Sequence, residues 1–69
     1  MFTVISYYTT DLEVIIRTWR GCPTQAIKKA LGHAEFFGRE ITEIRVIGTA
    51  RTPEKARQII EAYCENVLG

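Results

Sequence analysis

The sequence predicts an α+β fold. It reads as a two-layer sandwich of order β-β-α-β-α, with a three-stranded antiparallel sheet in strand order 2-1-3 and both helices on one face. Three observations carry this. Residues 2–8, 12–20 and 41–49 are rich in β-branched and aromatic side chains. Two other stretches repeat apolar residues at helical spacing, and each opens on a proline, Pro23 or Pro53. The charges are unevenly shared. None falls between Met1 and Tyr8, whereas the second and third strands carry Glu13, Arg17, Arg20, Glu43 and Arg45. Edge strands are commonly protected by charge, so the uncharged first strand belongs in the centre.

The first strand, Phe2 to Tyr8, ends at Thr9-Thr10-Asp11, which supplies turn chemistry, and the short link makes a hairpin with the second strand. In that strand Leu12, Val14, Ile16 and Thr18 share one face. Gly21 ends it. If Cys22 caps the first helix, Gln25 stands where a capping-box acceptor would. Ala26, Ile27, Ala30, Leu31, Ala34 and Phe37 form its apolar stripe, and Gly38 is a natural stop. Gly32 weakens the middle of this helix, and a close approach to the sheet would explain it. In the third strand Ile44 and Val46 share one face, while Glu43, Arg45 and Ile47 share the other. Gly48 marks a bulge or the strand's end. Thr52-Pro53-Glu54 combines an N-cap, a proline at the first position and an acid at the positive end of the dipole. Ala56, Ile59, Ile60, Tyr63, Cys64 and Val67 make the second buried stripe.

The 69 residues make one domain, 1–69. A chain this short buries only about 60% of its unfolded surface, so the core is thin and leaves little room for a deep pocket. With 46% hydrophobic and 25% charged residues, the composition is that of an ordinary globular chain. The net charge of +1 is low for a dedicated nucleic-acid binder. No apolar run approaches the roughly 20 residues of a membrane helix, and the start lacks the basic region of a signal peptide. A cytoplasmic protein with no membrane partner is expected. Cys22 and Cys64 are too far apart for a local metal motif and read as small hydrophobes, with Cys22 at a helix start where a thiolate is favoured.

With both helices on one face, Phe2, Val4, Leu12, Val14, Ile16, Ile44 and Val46 point toward them. The other face carries Thr3, Ile5, Tyr7, Ile15, Arg17, Trp19, Glu43, Arg45 and Ile47. That surface is too apolar to be merely solvated, and Trp, Tyr and Arg are the types enriched at interface hot spots. A protein-binding site is therefore expected at Ile5, Tyr7, Ile15, Arg17, Trp19, Arg45 and Ile47. Trp19 and Tyr7 would anchor, and the arginines would orient. The partner would be another protein or a second copy of the chain in a homodimer. The alternative is a nucleic-acid-binding module, in which Tyr7 and Trp19 stack bases while Arg17, Arg20 and Arg45 meet phosphates. A second arrangement of the helices also fits: Tyr7 and Tyr8 are both buriable, and the second helix could cover the opposite face.

No catalytic residue, metal site or cofactor is expected. His33 is the one histidine and has no evident acid–base partner. Glu40 and Glu43 lack a neighbouring His or Cys for a metal. No glycine-rich loop precedes a helix in a phosphate-binding pattern. Lys28, Lys29, Arg51, Lys55 and Arg57 read as solvated helix faces and starts. The reading is of a binding module, not an enzyme.

The run Ile44-Arg45-Val46-Ile47-Gly48-Thr49, followed by Thr52-Pro53-Glu54-Lys55-Ala56 and Ile59-Ile60, resembles the closing strand and helix of KH RNA-binding domains, over about a third of the chain. The family's GXXG loop is absent: Trp19-Arg20-Gly21-Cys22 lacks the first glycine and follows a strand. No KH function is carried over. In element order and size, the first two-thirds resembles very small phage proteins that bind and inhibit host enzymes. That likeness implies a regulator or inhibitor encoded by a phage or mobile element and acting by contact.

Overall fold

The computed structural model of the chain describes residues 1–68, with side chains as far as Asn66. Strands β1 (Phe2–Thr9) and β2 (Val14–Arg20) form a hairpin. Helix α1 (Pro23–Phe36), strand β3 (Ile41–Ala50) and helix α2 (Pro53–Tyr63) follow, and a π-helical turn spans Cys64–Leu68. The sheet order is β2-β1-β3, and both pairings are antiparallel. The α+β class, the order of elements, the strand order and the antiparallel sense are those the sequence predicts.

Local chemistry places the ends. The hairpin turn closes with Leu12 N–H donating to the Thr9 carbonyl at 3.0 Å and Thr9 N–H donating to Glu13 at 3.1 Å. Leu12 therefore belongs to the turn, not to the apolar face of a strand. It sits at φ +65° and is 90% exposed. At the start of α1, Cys22 N–H donates to Gln25 Oε1 at 3.1 Å, the expected reach-back of a capping box. At its end Gly38 takes φ +67°, and Arg39 N–H donates to the Ala34 carbonyl at 2.8 Å, as in a Schellman motif. Thr52 Oγ1 accepts from Lys55 N–H at 3.2 Å and caps α2.

The packing differs from the expected two-layer sandwich with two helices on one face. One cluster joins Ile5 and Tyr7 of β1 to Ala26 and Ala30 of α1, with Ile15, Trp19, Ile27, Ile41 and Ile44 around it. A second joins Val4 to Ala50 and to Ala56 of α2, with Phe2, Ile16, Ile47, Ile59 and Ile60. Ile5 and Tyr7 alternate along β1 with Val4, so the clusters lie on opposite faces of the sheet. The helices make no contact with each other. The arrangement is α1, sheet, α2, the second of the two that the sequence allows. Every residue of β1 from Thr3 to Tyr7 is buried. An amphipathic helix on each side accounts for a strand with no polar face.

Two register shifts alter the expected faces of β3. Val4 pairs with Gly48 but Ile5 pairs with Val46, so Ile47 is an extra residue; a second shift falls between Tyr8 and Thr9. The bulge expected near Gly48 is there. Ile44 and Val46 pair with Tyr7 and Ile5, and so lie on the α1 face rather than beside Val4. A Cβ on Gly48 would stand 3.3 Å from Ile59, which is how closely α2 approaches this strand. Gly32 has open space where its Cβ would be, so no close approach to the sheet explains it. Ala26, Ala30 and Ala34 form the buried stripe of α1, and Leu31 and Phe37, expected on it, are exposed. Ala56, Ile59, Ile60, Tyr63 and Cys64 of the second stripe are buried or half-buried as predicted. The side chain of Val67 lies outside the described residues.

Candidate functional site

The open sheet face expected as a binding surface is instead the floor of the α1 core. Ile5 is 0% exposed and Tyr7 is 1% exposed, so neither can serve as a contact anchor. Ile15 and Trp19 are half-buried around them, and Arg17 is exposed at the edge of that face. Arg45 lies on the opposite face, where it pairs with Ser6, and Ile47 packs in the α2 cluster. The seven residues thus divide between two faces. The five of the nucleic-acid alternative divide too. Tyr7, Arg17 and Trp19 lie on the α1 face, while Arg45 and Arg20, whose partner in the sheet is Phe2, lie on the other. Arg45 is further occupied by Glu43, which accepts from its Nε at 2.7 Å. This hydrogen bond, with the adjacent negative charge, holds the guanidinium above its ordinary pKa.

A different surface emerges at the end of the molecule where the hairpin turn meets the α1–β3 loop. Thr10 N–H donates to the Glu40 carbonyl at 3.1 Å, and Arg39 Nη1 donates to Glu13 Oε2 at 2.9 Å. These bonds tie the hairpin turn to the segment that leaves α1, and large exposed apolar side chains flank the junction. Leu12 is on the turn, Phe36 (82% exposed) ends α1, and Phe37 (60% exposed) follows it. The Phe36 and Phe37 rings meet edge to face at 5.1 Å. Phe37 tilts against His33 at 4.7 Å, and His33 meets Trp19 edge-on at 5.6 Å. A line of aromatic rings therefore runs from the half-buried indole to the fully presented Phe36. The Trp19 Nε1–H is buried with no hydrogen-bond partner among the described residues.

Beside this line is a recess of about 150 Å³, lined by Tyr7, Ile15, Arg17, His33, Phe37 and Arg39. Its floor is the β1–β2 pair Tyr7 and Ile15. One wall is the last turn of α1, and Arg17 and Arg39 stand at its rim.

Leu12, Phe36, Phe37 and Arg39 are not among the site residues that the sequence predicts. A signal for the aromatic pair was available. Adjacent helical residues point about 100° apart, so Phe36 and Phe37 could not both face the sheet. Among the described residues no group of three or more His, Cys, Asp or Glu side chains could hold a metal, and no helix is long and apolar enough to cross a membrane.

Compared with protein-family models, with curated proteins and with solved structures, the chain matches none.

Proposed function

We propose that this chain is a non-catalytic protein-binding module, and that it makes contact through the aromatic end formed by Leu12, Phe36 and Phe37. The observation that carries the reading is the exposure of two adjacent phenylalanines, 82% and 60%, at the end of α1, whose following loop is hydrogen-bonded to the turn that presents Leu12. Single exposed apolar residues are ordinary, but large ones gathered at one end mark interaction sites. Aromatic anchors contribute much area for little lost side-chain freedom. A net charge of +1 puts little repulsion between copies, so a second copy is one acceptable partner. An enzyme or complex regulated by contact is the other, in line with the likeness to small inhibitory proteins.

The test replaces Phe36 with the photo-crosslinker benzoylphenylalanine in cells that express the protein, with Arg57 on α2 replaced as control. Covalent adducts are expected from position 36 and not from position 57. An adduct of twice the chain mass identifies self-association, and a heavier one a different protein. No adduct at 36, or equal adducts at both positions, overturns the reading.

A further inference from the structure

The recess between β2 and the end of α1 shares Phe37 with the proposed contact surface and adds polar groups which that surface does not use. Arg17 lines the recess and forms no ion pair or hydrogen bond among the described residues. Arg39 is fixed from two sides: its N–H closes the end of α1, and its Nη1 is held by Glu13. A guanidinium has five N–H donors, so one bond to Glu13 leaves others for a second acceptor. The hydroxyl of Tyr7 makes no hydrogen bond among the described residues, yet it is not among the side-chain atoms sealed from solvent. The ring of a buried residue thus delivers an unused donor to the floor of the recess. His33 supplies an imidazole held between Trp19 and Phe37.

The negative end of the α1 dipole would ordinarily discourage an anion here. Its last carbonyls are already occupied, however, by the N–H groups of Phe37, Gly38 and Arg39, at 3.2, 3.0 and 2.8 Å. Ile15 on the floor and Phe37 on the wall supply apolar surface. A cavity of about 150 Å³ holds one benzene-sized body.

We propose that this recess is a binding site for a monocarboxylate carried on an apolar body of about benzene size. The body lies between Ile15 and Phe37. The two carboxylate oxygens accept from Arg17 and Arg39, and Tyr7 donates from below. Planar, two-oxygen recognition is what guanidinium groups do best. Such a carboxylate has two sources, a free small acid or the carboxyl terminus of a chain ending in an apolar residue.

The test is titration of the intact protein with benzoate, followed by backbone amide shifts and by the fluorescence of Trp19, the sole tryptophan. Saturable shifts at Arg17, His33, Phe37 and Arg39 are expected, with benzamide inert. Arg17→Gln should weaken binding roughly tenfold, Arg17→Lys less, and Arg20→Gln on the other face should leave it unchanged. N-acetylphenylalanine binding more tightly than benzoate assigns the site to a chain terminus, and weaker binding assigns it to a free acid; both support the site. The proposal is overturned if benzoate gives no saturable shifts, if benzamide equals it, if phenyl phosphate binds more tightly, or if Arg17→Gln is without effect. All of these readouts are independent of the crosslinking at position 36.

Discussion

At the scale of single residues, three positions do unlike things with backbone geometry. Gly38 needs its glycine, because φ +67° lies in the left-handed region that closes the Schellman motif. Gly32 does not, because it sits in mid-helix with open space at its Cβ position. Gly32→Ala is expected to stabilise the protein by about 0.5–1 kcal/mol, and Gly38→Ala to destabilise it by about 1 kcal/mol. Urea denaturation of the two variants checks both signs in one experiment. Leu12 is unfavourable twice over, being left-handed without being glycine and 90% exposed without burying its side chain. Leu12→Gly should therefore leave stability unchanged or raise it by up to about 1 kcal/mol. If the aromatic end is the contact surface, the same substitution should reduce crosslinking from position 36. A stabilised protein with undiminished crosslinking would remove Leu12 from that surface.

At the scale of elements, the alanine stripe of α1 sets how the helix meets the sheet. Ala26, Ala30 and Ala34 are 0%, 0% and 2% exposed, and Ala26 and Ala30 pack on Ile5 and Tyr7. Small side chains let the helix lie close over large ones, so Ala30→Leu has no room and is expected to destabilise by about 1–3 kcal/mol. Leu31→Ala on the exposed side should fall within about 0.5 kcal/mol of the parent. Thermal melts of both variants separate the two faces of the helix.

Caps and turns were legible in the sequence because each depends on a few local residues: Cys22 with Gln25, Gly38, and Thr52-Pro53. Which face each helix covers was not. That choice rests on the parity of β1, and β1 has none, since Thr3, Val4, Ile5, Ser6 and Tyr7 are all buried. An unbroken uncharged run is the pattern of a strand covered on both sides. Read that way, Phe2 to Tyr8 would have placed the helices correctly. The extra residue Ile47 then exchanged the faces of β3, because an inserted residue reverses every position beyond it. The residues expected on an open face are divided for the same reason: α1 covers that face, and large apolar side chains are exposed instead at the hairpin turn and the end of α1.

At the scale of the whole molecule, two small cores share one sheet. α1 packs on Ile5 and Tyr7, α2 packs on Val4, each helix also meets β2 and β3, and the helices never touch, so any communication between the two halves passes through the sheet, with β1 at its centre. In a chain of 69 residues neither half has enough apolar area to hold β1 without the other. The two clusters should therefore form one cooperative unit. Ile5→Ala removes a fully buried side chain from the α1 cluster alone and is expected to cost about 3 kcal/mol, a large part of the stability of so small a domain. Cooperativity predicts that native-state hydrogen exchange then accelerates as much in α2, at Ile59 and Ile60, as in α1, at Ala30 and Leu31. If the amides of α2 kept their protection while those of α1 lost it, β1 would be holding two separable units. The α1 side, with its aromatic end and its recess, could then open without unfolding the rest. Equal acceleration fixes that surface to the rigid frame of the whole protein, so that a ligand in the recess would stabilise α2 as much as α1.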